Sequence, residues 1–129
     1  MFQVSKKSQY GLRAMVYLAK KNSKEFFSLK DISEKESISF DFLEKIMSKL
    51  EKRKLVKAKK GTQGGYILAK KPKQITAKDI VETLENTTAV DCSLCGKSKK
   101  CLARNVWKKI DKAINKTLKS ITLADLIKK

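Results

Sequence analysis

The chain has 129 residues, 41% of them hydrophobic, which suits one domain with its own core and argues against a disordered tail. Its 31 Lys and Arg residues outnumber 13 acidic residues and give a net charge of +18. This charge favours a polyanionic partner, although a lysine-rich soluble surface without such a partner has the same composition. No apolar run approaches the ~20 residues of a membrane span, and the chain does not begin with a signal-peptide pattern, so we expect a cytoplasmic protein that contacts no membrane.

Three helices are predicted in the first half of the chain. In residues 9–21, apolar side chains recur three or four positions apart, which is typical of one helix face. Ser28 followed by Asp31 matches a capping box, so a second helix is expected directly after Ser28. After a short turn, Ser39 is positioned to cap a third helix over residues 40–52. Two helices joined by a tight turn are typical of a helix-turn-helix.

A β-hairpin is predicted to follow the third helix. Two short β-prone runs, residues 55–60 and 66–69, flank a glycine-rich turn. Six of the nine residues in 52–60 are basic, so the hairpin has the charge expected of the wing in a winged helix. Residues 26–28 form another short segment with strand character.

The second part of the chain is predicted to be helical around a cysteine-bearing loop. Thr76 with Asp79 and Thr122 with Asp125 repeat the capping-box pattern and begin two short helices. Between them, a long helix is expected from about residue 102 to 120. The predicted fold class is therefore mainly α: a winged helix-turn-helix (residues 1–75) followed by the cysteine loop and the long helix (residues 76–129), in one compact domain.

The predicted DNA contacts come from the start of the third helix and from the hairpin. A recognition helix needs polar side chains at its start because that end meets base edges in the major groove. The candidates there are Ser39, Asp41, Glu44 and Lys45. The candidates for contacts to phosphates or to the minor groove are Lys57, Lys59 and Lys60.

Some of these candidates have a second interpretation. Glu44 can accept a hydrogen bond from a cytosine amino group, but acids in the first turns of a helix are also favoured by the helix dipole without any ligand. The same argument applies to Asp41. Arg13, on the first helix, is a candidate for either a phosphate contact or a surface salt bridge.

The three cysteines have the spacing Cys92-x2-Cys95-x5-Cys101. In a cytoplasmic protein, an odd set of this kind favours metal binding or thiol reactivity over structural disulfides. Thiolates bind zinc and iron–sulfur clusters, and the absence of histidine excludes a Cys3His zinc site. The residues alone leave an iron–sulfur cluster, a thiol redox switch and zinc as alternatives.

Several motifs together resemble one known family. They are residues 10–14 (Tyr-Gly-Leu-Arg-Ala), Ile38-Ser39 followed by residues 42–46, the Gly64-Gly65-Tyr66 hairpin, and the cysteine trio with Trp107. This set is similar to the Rrf2 family of winged-helix regulators. The resemblance implies a homodimer that binds an imperfect palindrome of double-stranded DNA, with the long helix at the dimer interface. It also places the four recognition-helix candidates where the family reads DNA, and Lys60 at the base of the wing tip.

The resemblance favours the iron–sulfur alternative, with a two-iron or four-iron cluster held by the three cysteines. The fourth ligand departs from the family pattern. Where some relatives have a histidine, this chain has Arg104, and where others have an N-terminal carboxylate it has Gln9. Gln9 is therefore a candidate fourth ligand, alongside Asp91, a water or a small thiol.

The sequence predicts a DNA-binding transcription regulator, acting as a repressor and sensing iron–sulfur, redox or nitric oxide state. An enzyme is not expected, because the chain has no histidine, no nucleophile–base pair and no motif with paired carboxylates. Two alternatives remain: a cluster-free regulator controlled by a thiol switch or a partner protein, and an electron-transfer or metal-storage protein.

Overall fold

A computed structural model describes residues 3–21, 24–85 and 102–128. Six α-helices and one two-stranded antiparallel sheet lie in these ranges, as the sequence predicts. The elements are α1 (Lys6–Lys21), α2 (Leu29–Glu36), α3 (Phe40–Lys52), β1 (Val56–Lys59), β2 (Gly65–Leu68), a 3-10 turn (Pro72–Gln74), α4 (Ala77–Leu84), α5 (Arg104–Lys119) and α6 (Leu123–Ile127). No helix in these ranges has the length and apolar character to cross a membrane.

Side-chain caps fix where the helices begin. Thr76 and Thr122 each form the predicted two-way capping box with the aspartate three residues later. Ser28 instead makes a one-way cap, accepting a hydrogen bond from the Asp31 N–H at 3.0 Å. The first helix begins three residues before the predicted Gln9, because the hydroxyl of Ser5 accepts from the Ser8 N–H at 3.2 Å and caps it earlier.

The core is built from the apolar faces of α1, α3 and α4, which pack against one another. The close approach of α1 to α4 depends on Gly11, where an added Cβ would lie 2.3 Å from the Leu84 Cδ1 atom. The largest fully buried side chains are Met15, Ile32, Leu43, Ile46, Met47, Leu50, Ile75, Ile80, Leu123 and Val56. Residues from both predicted parts of the chain therefore share this core.

The last helix, α6, packs back onto the first half of the fold. The Ala77 N–H donates to the Ile121 carbonyl at 2.8 Å, and the Leu123 N–H donates to the Ile75 carbonyl at 2.9 Å. These bonds hold the segment between α5 and α6 against the start of α4, and α6 then packs on α1. Leu123 is fully buried, so the end of the chain contributes to the core.

The hairpin has an additional bridge to the segment before α2. Phe27 and Tyr66 exchange two backbone hydrogen bonds, at 3.0 and 2.8 Å, so the predicted strand at residues 26–28 is a single antiparallel bridge. Glycine is required on the hairpin side because Gly65 has φ +148°, and a Cβ there would lie 2.2 Å from the Phe27 carbonyl oxygen. This bridge fixes the hairpin against the helix-turn-helix.

Candidate nucleic-acid interface

The turn between α2 and α3 is held by local hydrogen bonds. Ser37 adopts the left-handed conformation with φ 55°, and the Ile38 N–H donates to the Ser33 carbonyl at 3.0 Å. The Ser33 hydroxyl in turn donates to the Ile38 carbonyl, and the Ile38 side chain is buried. The sequence analysis placed the turn correctly but missed the role of Ser33, a polar residue one turn before the helix end.

The start of α3 is exposed along the side that faces away from the core. Ser39 caps the helix by accepting from the Phe42 N–H at 3.4 Å, as predicted. Asp41, Glu44 and Lys45 are exposed in the first turns, whereas Leu43 is fully buried on the opposite side. The four residues predicted to read DNA therefore form one accessible surface, and their contact with bases stays a prediction.

The three hairpin lysines are exposed, while the start of the hairpin is anchored. Leu55 and Val56 are buried, and the next residues along β1 and the turn present Lys57, Lys59 and Lys60 to solvent. The Lys59 ammonium lies 5.7 Å from the centre of the Phe26 ring, a cation–π distance. The buried residues at the start of the hairpin therefore hold its exposed lysines in position.

A cleft of about 420 Å³ lies between α3 and the hairpin. Phe40 and Glu51 line it from α3, and Lys59 and Lys60 line it from the hairpin. Tyr66 lies in the same cleft, where burial, and then the Glu51 and Glu44 carboxylates, raise the pKa of its phenol. The cleft therefore has the two lysines on its hairpin side, Lys30 from α2 and one carboxylate, Glu51, from α3, so an approaching phosphate is attracted towards the lysines.

Two arginines near the helix-turn-helix, Arg13 and Arg53, form ion pairs with glutamates of the same chain. Arg13 forms an ion pair with Glu36 at 3.5 Å and donates a hydrogen bond to the Glu36 carbonyl, so it caps the end of α2. Arg53 pairs with Glu82 at 3.4 Å and joins α3 to α4. For Arg13 the structure shows the salt-bridge alternative, and a phosphate contact stays a prediction.

The predicted metal ligands Cys92, Cys95 and Cys101 lie outside the described residues. Gln9 is described: it is exposed, and its side-chain amide donates to the Val4 carbonyl at 2.9 Å. Among the described residues, no group of His, Cys, Asp and Glu is arranged to hold a metal. The cluster and its fourth ligand therefore stay predictions.

Known proteins resemble this chain over almost its whole length. Residues 4–129 match the Rrf2 family, described as an iron-dependent transcriptional regulator. The chain is 34% identical to the protein rrf2 of Nitratidesulfovibrio vulgaris, over 98% of this chain and 87% of that protein. The structure of CymR, the global cysteine regulator of Bacillus subtilis, matches with a TM-score of 0.84 and 37% identity over 98% of this chain and 97% of that one. The structure of IscR from T. potens matches with a TM-score of 0.81 and 39% identity, over 97% and 85%.

These matches confirm the winged-helix class and the resemblance carried by the motifs. They extend through the helix-turn-helix, the hairpin and the C-terminal helices, because each covers at least 97% of this chain. The chain belongs to the Rrf2 family of transcriptional regulators.

Proposed function

We propose that this protein is a sequence-specific DNA-binding transcription regulator, acting as a repressor rather than as an enzyme. The observation that carries the proposal is the exposed polar start of α3 beside the basic hairpin, with a cleft between them. In this arrangement α3 reads base edges in the major groove, while the hairpin lysines contact the phosphate backbone. A regulator of this kind acts where the chromosome lies, so the proposal places it in the cytoplasm.

We also propose that the protein acts as a homodimer on an imperfect palindrome of double-stranded DNA. No residue of α5 is fully buried, and the apolar side chains of Leu102 and Val106 are 88% and 52% exposed. A second copy of α5 is the occupant that covers this surface, since two-fold symmetry then matches two half-sites. Residues 1–75 would supply the DNA contacts, and residues 76–129 the sensor loop and dimer helix.

Salt-dependent DNA binding tests the proposal. Replacing Lys59 and Lys60 by Ala should weaken binding to every duplex and reduce the log–log salt slope by about one unit for each lost phosphate contact. The matched control replaces Lys20 and Lys73, which are also exposed but lie outside α3 and the hairpin. Fluorescence anisotropy with a promoter fragment measures both quantities. Equal effects of the two pairs would show that the hairpin makes no specific contact.

We propose that Cys92, Cys95 and Cys101 sense the signal by holding one iron–sulfur cluster per subunit. The donor set fits, because three thiolates lie within ten residues and thiolates are the usual ligands of such clusters. A weak or exchangeable ligand, namely Gln9, Asp91, a water or a small thiol, would take the fourth position and leave one iron accessible to oxygen or nitric oxide. A change at the cluster would alter DNA affinity roughly 5- to 150-fold for a coupling of 1–3 kcal/mol.

Anaerobic purification with iron and sulfide analysis tests the sensor. Each Cys→Ala variant should lose the iron and the visible chromophore, whereas Gln9→Ala should lose neither or only weaken retention. Wild-type protein that binds its operator without iron or sulfide would favour a thiol switch or a partner protein as the control. A cluster-containing protein that binds no promoter DNA would instead indicate electron transfer or metal storage.

A further inference from the structure

Helix α5 is divided lengthwise into an apolar half and a basic half. At 100° per residue, its apolar side chains fall on one side and its lysines on the other. The helix has six basic residues and one acidic residue, Asp111. We define the α5 lysine face as the five exposed lysines Lys108, Lys109, Lys112, Lys116 and Lys119.

The α5 lysine face keeps an excess of positive charge, because five lysines have one acidic residue beside them on the helix, Asp111. The ion pairs of Arg13 with Glu36 and of Arg53 with Glu82 lie on other elements and do not involve these five lysines. The face is about 17 Å long, from the helical rise over eleven residues. Lys108, Lys112 and Lys116 recur every four residues, so their charges lie about 6 Å apart along the helix.

This face is separate from the DNA-reading surface of α3 and the hairpin. Helix α5 packs against α4, and α4 in turn packs against α1 and α3. Trp107, Ile110 and Ile114 on the apolar half are partly buried, whereas the five lysines are exposed. The proposed DNA contacts of α3 and the hairpin therefore do not account for the positive charge on α5.

We propose that the α5 lysine face is a second nucleic-acid site, which binds the phosphate backbone of duplex DNA without sequence preference. A duplex carries about one negative charge per 1.7 Å of its axis with both strands counted, or one per 3.4 Å of each strand, so a face about 17 Å long lies beside about five phosphates of the nearer strand. Lysine binds phosphate as a point charge, and a row of five lysines with a single neighbouring carboxylate, Asp111, suits a partner that is uniformly anionic.

The composition of the face favours nucleic acid over an acidic protein or an anionic membrane as its partner. The centres of protein–protein interfaces are enriched in aromatic residues and arginine and depleted in lysine, and this face has five lysines and no aromatic residue. An anionic membrane would bind an amphipathic helix by inserting its apolar half, but that half of α5 is partly covered by α4 and is the part proposed to pack against a second copy. Duplex DNA requires only the exposed charges.

The test isolates α5 from the hairpin. In a background with Lys57, Lys59 and Lys60 changed to Gln, residual binding to a random-sequence duplex is measured by anisotropy over a range of salt concentrations. Changing Lys108, Lys112 and Lys116 to Gln should then reduce affinity at least about tenfold at 50 mM salt and lower the log–log slope by about two units. The matched control changes Lys20, Lys70 and Lys73, three exposed lysines outside both surfaces, and should cost less than about threefold.

The outcomes separate this site from the proposed recognition surface. Equal losses in the α5 and control variants, or no loss in either, would overturn the α5 site and leave the hairpin result untouched. A hairpin background that binds as well as wild type would count against the wing contact alone. Competition by polyglutamate or by anionic vesicles, at the same charge concentration and as strong as that by duplex, would overturn the preference for nucleic acid.

Discussion

Helices α3 and α5 are both amphipathic, yet the protein uses their apolar sides differently. Leu43, Ile46, Met47 and Leu50 of α3 are buried by other elements of the same chain, whereas α5 has no fully buried residue. The same sequence pattern therefore produces core in one region and an only partly covered apolar surface in the other. The winged helix is thus completed by folding, whereas in the proposed homodimer the surface of α5 would be completed by association.

The largest expected effect is on the region that folding completes. Leu43 is fully buried in the core, so Leu43→Ala should lower the free energy of unfolding by about 2–5 kcal/mol through lost burial and a residual cavity. Because this loss lies within one chain, it should be the same at low and high protein concentration. Urea denaturation at two concentrations measures it. If the loss in the free energy of unfolding changed with protein concentration, α3 would not differ from α5 in being buried within a single chain.

The next effect is on association through α5 and Leu102, which lies two residues before the helix. Changing Leu102 to Ser and Val106 to Lys should produce monomers, since burying each side chain in a dimer contributes about 1.5–3 kcal/mol. Both side chains are exposed, so the fold should be retained. Asn105→Lys is the matched control because residue 105 is exposed on the basic half of the same helix. Analytical ultracentrifugation measures the result, and wild-type protein that sediments as a monomer at micromolar concentration would rule out the dimer.

A smaller effect is expected at the exposed start of α3. Glu44→Ala should leave stability nearly unchanged, because the side chain is exposed, but should alter discrimination at one base pair by about 1–3 kcal/mol. Binding to a panel of operator variants measures this preference. A uniform change across the panel would assign Glu44 to the helix dipole and to the surface instead.

The smallest effect concerns Asp125 in the cap of α6. The backbone N–H and then the hydroxyl of Thr122 are hydrogen-bonded to Asp125 and lower the pKa of its carboxyl group. The charged form is thus favoured in the folded state, and its contribution is present above the unfolded value of about 3.9 and is lost as pH falls through the folded pKa.

Acid unfolding of two variants checks this sign. Asp125→Asn should lose less stability than wild type as pH falls below about 4, because it has no carboxyl group to protonate. Thr122→Ala should also reduce the pH dependence, since it removes the hydroxyl partner. A wild-type slope in both variants would show that this cap does not contribute to acid sensitivity.

Local patterns in the sequence determined most of the elements. Ser39, Thr76 and Thr122 define helix starts through a cap that needs only neighbouring residues, and the glycines between two β-prone runs define the hairpin. The early start of α1 at Lys6 was missed although its signal, Ser5, is also local. The motifs predicted the family as well, because they extend over nearly the whole chain.

Tertiary structure decided what no local pattern contains. Sequence left Arg13 between a phosphate and a salt bridge, and its pairing with Glu36 depends on how α1 packs against the end of α2. The bridge from Phe27 to Tyr66 likewise joins segments far apart in the chain, so only folding brings Gly65 against the Phe27 carbonyl. Periodicity showed that α3 and α5 each have an apolar face, but which face is covered depends on the packing of distant elements.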